Sequence, residues 1–217
     1  MSIVCDCPAG ASIPTINPAS CPVDMDQIQK VAFQRVFKTP GVKNQVADIT
    51  KKASWTPLLS AADGTKVTCS PNLNAPETTP GEERTFGDGN EVVGGIPISL
   101  GSSPTEFAAV IRRQPQSVIA QLKKMMCEEV GVYIFDINGM IGCLADNPSK
   151  PTKYEPIPIF SMFVGDYSFG GYDGTGSNNI SWKFKPNWSD NLVFVKPEDF
   201  NPLTDLVNPD SDSTNEV

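Results

Sequence analysis

Six cysteines and the absence of histidine define the chemistry open to this chain of 217 residues. Histidine is the side chain that titrates nearest neutral pH, and it is the commonest metal ligand in proteins. Its absence excludes a Ser-His-Asp triad, a Cys-His dyad and the zinc and iron sites that depend on imidazole. Carboxylate pairs, lysine chemistry and cysteine-only metal sites are the chemistries that remain.

A cysteine-only metal site is the first of these candidates. Cys5, Cys7 and Cys21 lie near the start of the chain, and Cys69 is a potential fourth ligand. A C-x-C pair followed by one distant cysteine lacks the paired C-x-x-C spacing of structural zinc sites. We therefore interpret these cysteines as free or packed in an interface, with Cys5, Cys7 and Cys21 as weak metal candidates.

Carboxylate pairs and a glycine-rich stretch are the other candidates for chemistry. Asp24 with Asp26, and Asp88 with Glu91, are close in sequence, but a hydrolase needs two carboxyl groups set across a cleft. The stretch 165–176 lacks the Gly-Lys-Ser/Thr ending of a phosphate loop and the ligand spacing of an EF-hand. The sequence thus predicts solvated acids, a loop between strands, no catalytic residue and no cofactor.

The overall composition is that of a globular, acidic protein. Hydrophobic residues make up 39% of the chain, and the formal net charge is −8. Binding to the outside of nucleic acid needs clustered Lys and Arg, which release counterions from the phosphates. No apolar run approaches the ~20 residues of a membrane helix, and the first residues lack the pattern of a signal peptide. We expect synthesis in the cytoplasm, mostly reduced cysteines and no membrane partner.

Proline, glycine and charge divide the chain into three parts. Residues 1–22 contain four prolines and are predicted to form an extended arm. Residues 23–200 are predicted to form a single β-rich domain, and residues 201–217 a mobile acidic tail. Within the domain, residues 28–37 alternate in polarity and favour a strand with one buried face. A short helix capped by Asp24 or Asp26 is the alternative.

The middle of the domain is predicted to contain a long loop and the principal helix. Residues 70–91 are polar and rich in Pro and Gly, and 92–100 follow as a strand kinked at Gly94-Gly95. Ser103-Pro104-Thr105-Glu106 has the spacing of a capping box, which predicts a helix over 104–129 with a kink near Pro115. One apolar stripe on this helix is predicted to face the core: Val118, Leu122, Met125 and Met126.

The second half of the chain is predicted to form antiparallel β-strands. Asn138-Gly139 stands between two runs of β-forming residues, which is the strongest short-range signal of a hairpin. Further strands are predicted at 157–164, 180–185 and 191–195. The fold class that follows is α+β, mainly antiparallel β, with one principal helix packed against the strands.

Three stretches give the chain a resemblance to a known class of virion proteins. They are the segment from Pro104 to Glu129 leading into the Asn138-Gly139 hairpin, the stretch 154–173, and the stretch 179–190. In order and style these resemble phage tail-tube proteins, and the Cys-Pro-rich opening through Lys30 resembles virion proteins of Bacteroidetes phages, including crAss-like ones. The cysteine arm itself is a departure, because the tail-tube pattern does not require it.

The resemblance implies a β-sandwich or barrel with a flanking helix and with arms that reach neighbouring subunits. It implies a non-enzymatic subunit of a tail tube or of a tail or neck ring, forming hexamers or dodecamers located in the virion. Its partners would be further copies, other tail or neck proteins, and DNA that passes without specific binding. The acidic charge of the chain suits such a conduit, because like charges repel.

Two other classes of function remain open from the sequence. A carbohydrate- or receptor-binding β-sandwich would need aromatic side chains grouped on one exposed face, and Trp182, Trp188 and Tyr172 are the candidates. An enzyme that uses only carboxylates would need two acids with opposed pKa shifts in a concave site.

Overall fold

The computed structural model describes residues 25–87, 91–172 and 174–209. The predicted arm at 1–22 and its cysteines, Asp24, Asp88 and residues 210–217 lie outside these ranges. The strands are β1 (Ile28–Arg35), β2 (Phe37–Thr39), β3 (Val42–Lys43), β4 (Val67–Cys69), β5 (Leu73–Thr79), β6 (Glu83–Phe86), β7 (Ile98–Ser102), β8 (Thr105–Arg112), β9 (Val130–Asp136), β10 (Ile141–Ala145), β11 (Tyr154–Glu155), β12 (Ile157–Val164), β13 (Ser177–Phe184) and β14 (Leu192–Val195). The helices are α1 (Lys52–Leu59), α2 (Gln116–Lys124) and α3 (Pro202–Asp205), with 3₁₀ turns at Val93–Gly95 and Met125–Cys127.

Ten of these strands form one antiparallel sheet that folds over into two layers. The order along it is β11-β10-β9-β12-β13-β8-β5, with β1 between β4 and β9, and β14 beside β10. Strand β12 links the layers, because Ile157 and Pro158 pair with β9 whereas Ile159 to Val164 pair with β13. The predicted α+β, mainly antiparallel fold is confirmed.

The layer built around β1 and β9 is buried on both faces. One face packs against the layer β12-β13-β8-β5 and α2, and this first core contains Phe33, Val132 and Trp182. The other face packs under α1 and the C-terminal segment, and this second core contains Trp55, Tyr133 and Phe135. All seven residues of β9 are consequently buried.

The predicted hairpin at Asn138-Gly139 is confirmed, with a longer turn than the sequence suggested. Gly139 takes a φ of +77° and donates its N–H to the Asp136 carbonyl at 3.1 Å, while the Asp136 N–H donates to the Met140 carbonyl. This is a three-residue connection in which the glycine occupies the left-handed position. The buried Asp136 carboxylate stabilises it, accepting the N–H groups of Asn138 and Met140 at 2.9 and 2.7 Å.

The predicted helix over 104–129 is wrong in its first half. Residues Thr105–Arg112 form strand β8, with Phe107, Ala109 and Ile111 buried in alternation, and helix α2 begins only after Pro115. The local capping signal is overridden because β8 pairs along its length with β13 and also pairs with β5. In α2 the buried residues are Ile119 and Leu122, so the predicted stripe was only partly correct.

Two other predicted boundaries also change. The predicted loop 70–91 contains β5 and β6, because β5 finds a partner in β8. Part of the predicted tail is anchored to the body: Leu206 is fully buried, and the Asn208 side chain accepts the Cys69 N–H at 2.7 Å and donates to the Cys69 carbonyl at 2.8 Å. The strands predicted near 28–37, 157–164, 180–185 and 191–195 are confirmed as β1, β12, β13 and β14. The single buried face predicted for the first of them is wrong, because β1 is buried on both faces.

Candidate assembly surface

The hairpin of β6 and β7 is a separate two-stranded sheet that continues from the ends of β5 and β8. Phe86 pairs with Ile98, and Thr85 with Ser99. Its base is fixed where the Ser103 N–H donates to the Glu82 carbonyl at 2.8 Å and the Glu82 N–H donates to Ser103 Oγ at 2.9 Å. Within the described ranges, neither strand pairs with a strand outside this hairpin.

The hairpin exposes large apolar side chains. Phe86, Ile98 and Leu100 are more than half exposed, and so are Val93 and Ile96 near the tip. Phe86 and Ile98 are directly opposed and Leu100 follows Ile98 by two residues, so these three share one face. Together the five residues present on the order of 500 Å² of apolar surface, which is comparable to the largest apolar patch of a typical monomer, a patch that is often functional. We call these residues the hairpin face.

An apolar cleft of about 330 Å³ opens at one end of the two layers. Trp188 forms one wall, stacked on Phe184 with ring centroids 4.4 Å apart, and its Nε1 donates to Thr105 Oγ1 at 3.2 Å. Met25 and Ile28 also line the cleft and are partly buried, and Asp26 and Thr78 are exposed residues at its rim. We call this the end cleft.

The loop between β12 and β13 carries a second group of exposed aromatic residues. Tyr167 and Phe169 pack edge to face at 5.2 Å, and Phe169 and Tyr172 are almost fully exposed. The Tyr167 ring lies against Gly176, where any side chain would clash with it. Asp166 forms an ion pair with Lys123 of α2, which lowers the pKa of this exposed carboxyl group.

The buried polar groups of the body serve packing. The Lys30 amino group donates to the carbonyls of Leu203 and Leu206 at 3.2 and 2.7 Å, and desolvation by burial lowers its pKa. Burial raises the pKa of the Cys69 thiol to about 11 and raises that of Cys143 further. Such thiols stay protonated at neutral pH, and thiolates are the reactive form of cysteine.

The structure describes only some of the residues that the sequence suggested for a site. Of the suggested metal ligands, only Cys69 lies in the described part of the chain, and it is buried in the second core. In those same ranges, no group of three Cys, Asp or Glu side chains is arranged to hold a metal ion. Trp182 is buried and Trp188 lines the end cleft, so neither joins Tyr172 in the exposed group predicted from sequence.

The sequence did not predict the hairpin face as a site. The strand predicted over 92–100 is wrong in its first half, where Val93–Gly95 form a 3₁₀ turn, and β7 begins only at Ile98. The alternation of Ile96, Ile98 and Leu100 is visible in the sequence, and alternation normally predicts a strand with a buried face. Only the structure shows that this face is left in solvent.

Comparison with known proteins identifies no family for the chain. No family model matches it, and no curated protein matches it. None of the helices in the described residues is long and apolar enough to cross a membrane.

Proposed function

We propose that the chain is a non-enzymatic structural subunit of a phage tail, which self-assembles into rings that stack or join other rings around a conduit for DNA. The observation that carries this proposal is the hairpin face, on which apolar side chains are exposed along a hairpin that projects from the body. Such a face is a liability on a monomer and is usually covered by a partner.

Closed rings of identical copies cover such a face without a second protein. In a head-to-tail arrangement, each copy contributes one surface and receives the complementary one, and a ring results when the rotation closes. The proposal places the protein in the virion, as a hexameric or dodecameric tube, tail-ring or neck-ring subunit in contact with other tail proteins.

The body and the charge are compatible with this role. Two antiparallel layers with a flanking helix provide a rigid base from which the hairpin projects. The net charge of −8 disfavours adhesion of DNA, because binding to phosphates requires clustered cations. A conduit subunit needs this property, since DNA must slide past it.

The test is the native mass of the full chain across a wide concentration series, with the same samples imaged by negative-stain electron microscopy. We expect rings or stacked tubes, and we expect Ile96→Asp with Ile98→Asp to abolish them. Ile98→Asp alone has a matched control in Ser99→Asp, because each adds one negative charge to the same strand and Ser99 lies on the other face. A wild-type chain that stays monomeric throughout the series would contradict the proposal.

A carbohydrate-binding module is the second candidate, favoured by the exposed aromatic loop. Phe169 and Tyr172 offer flat apolar faces to solvent, and such faces are suited to stacking on sugar rings. A glycan array with the full chain tests it. Binding that is lost in Phe169→Ala with Tyr172→Ala, while Phe163→Ala retains it, would favour this function; an array with no binding would remove it.

A further inference from the structure

The end cleft lies at the same end of the molecule as the base of the hairpin. Its lining includes Ile28, the first residue of β1, Phe107 in the first half of β8, and residues near the ends of β9 and β13. Helix α2 follows the other end of β8 and covers the opposite end of the first core. The hairpin leaves from Thr79 and Glu106, which are paired beside the cleft. One end of the body therefore has a projecting apolar arm and a recessed apolar cleft.

We propose that the end cleft receives the hairpin face of a second copy of this chain. The inference rests on the proposed function, since it names the surface that the hairpin occupies in the assembly. Both surfaces are apolar, one convex and one concave, and both belong to the same chain, so they are present in equal numbers. The chain's own hairpin does not fill its own cleft, because its apolar side chains are exposed.

The size of the surfaces is consistent with this pairing. A stable interface buries about 800 Å² on each partner, and the hairpin face alone supplies on the order of 500 Å² of apolar surface. The cleft, at about 330 Å³, is within the roughly 300–1,000 Å³ of pockets that bind small ligands. It has room for the leading side chains of the hairpin, while the rest of the face lies over the rim.

Each of the two surfaces carries one charge that is opposite to a charge on the other, while Glu82 and Glu83 are also exposed at the base of the hairpin. Arg84 precedes Phe86 by two residues on β6, so it lies on the same side of the hairpin, and it is exposed. The rim of the cleft carries Asp26, which is also exposed. In the docked pair, these opposite charges fix the orientation of the hairpin, which is the usual contribution of charges at the edge of an interface.

The two surfaces differ from each other, so the pairing is head-to-tail, and this allows a complementation experiment. One variant carries Ile96→Asp and Ile98→Asp, which disable the hairpin. The other carries Thr78→Arg, which places a cation at the rim of the cleft on an exposed residue. The control is Thr79→Arg, because Thr79 is the next residue of β5 and faces away from the cleft.

Each variant alone is expected to be monomeric at concentrations where the wild type assembles. A mixture is expected to form a one-to-one dimer and nothing larger, because only one intact hairpin and one intact cleft remain per pair. The mass of the mixture is read by light scattering, and circular dichroism verifies the fold of each variant. Assembly of the Thr78→Arg variant at wild-type concentrations would overturn the cleft assignment and leave the proposed function standing.

Cross-linking of the otherwise unchanged chain gives a second readout. A photoreactive phenylalanine at Ile98 and a mixture of light and heavy isotope-labelled copies identify cross-links between copies. We expect these cross-links on residues of the end cleft, Trp188 and Leu192 among them. Cross-links confined to another surface, or a small apolar molecule found in the cleft by native mass spectrometry, would overturn the assignment. A wild-type chain without any assembly would instead overturn the proposed function.

Discussion

Strand β9 and the β6–β7 hairpin have the same extended backbone conformation but differ in the burial of their side chains. All seven residues of β9 are buried, whereas all nine residues of β6 and β7 are exposed, although both regions carry large apolar side chains. Strand β9 has a layer of structure on each face, whereas no layer of the described part of the chain covers the hairpin. Burial in the body supplies folding stability, and exposure on the hairpin leaves its apolar side chains available for the proposed contact between copies.

Trp55 gives the largest expected effect on the body. Its ring packs edge to face on Tyr133 of β9 with centroids 5.0 Å apart, and its Nε1 donates to the Ile49 carbonyl at 3.1 Å. Trp55→Ala should lower the free energy of unfolding by about 3–5 kcal/mol, because it leaves a large cavity. Urea denaturation measures this, with Leu100→Ala on the hairpin as the exposed control. If both variants lost the same free energy of unfolding, the proposed difference between the buried body and the exposed hairpin would be contradicted.

Asp136, at the end of β9, should give the next largest effect. Its buried carboxylate accepts three backbone N–H groups, those of Asp26, Asn138 and Met140. Asp136→Ala leaves these donors without an acceptor and should cost about 3 kcal/mol in the free energy of unfolding. Asp136→Asn keeps one acceptor oxygen and should cost less. The same denaturation assay compares the two, and an alanine variant as stable as the wild type would contradict the role of this carboxylate.

The buried thiol of Cys69 predicts a loss of stability at alkaline pH. Burial raises its pKa from 9.0 to about 11, so between these values the unfolded chain loses its proton before the folded chain does. The unfolded state binds fewer protons in this window, and the free energy of unfolding should fall as pH rises from about 9 to about 11. The expected contribution is about 2 kcal/mol at pH 11.

Cys69→Ala is the variant that isolates this contribution. Urea denaturation at a series of pH values should give a shallower alkaline decline for Cys69→Ala than for the wild type. Exposed Cys127 provides the comparison, since Cys127→Ala should leave the decline unchanged. Parallel curves for Cys69→Ala and the wild type would show that the thiol is less well protected than its burial implies.

Ile98→Asp should give the smallest effect on stability. It tests the exposed hairpin, whereas the preceding variants test the buried body. The side chain is already half exposed, so a charge there should change the free energy of unfolding by no more than about 0.5 kcal/mol. The measurement is made at concentrations where the wild type is monomeric. A loss of several kcal/mol would mean that the hairpin packs on the body in solution.

Local sequence signals predicted some elements correctly. They failed where pairing with residues distant in the chain determines the secondary structure. Asn138-Gly139 specified its hairpin, and the alternation in 180–185 specified β13, because both patterns depend on neighbouring residues. The capping-box spacing from Ser103 to Glu106 is worth only about 1 kcal/mol. It was outweighed by the pairing of β8 with β13 and β5 and by burial of Phe107.

The sequence by itself excluded chemistry that depends on histidine and predicted the class of fold. The lack of histidine, the acidic charge and the alternating segments are properties of composition and local order, and they sufficed for an acidic, mainly antiparallel domain. The tertiary structure decided which apolar segments become core and which stay in solvent. Exposure depends on residues distant in the chain: α1 covers the face of β9 that carries Tyr133, whereas the described residues place nothing over Phe86 and Ile98.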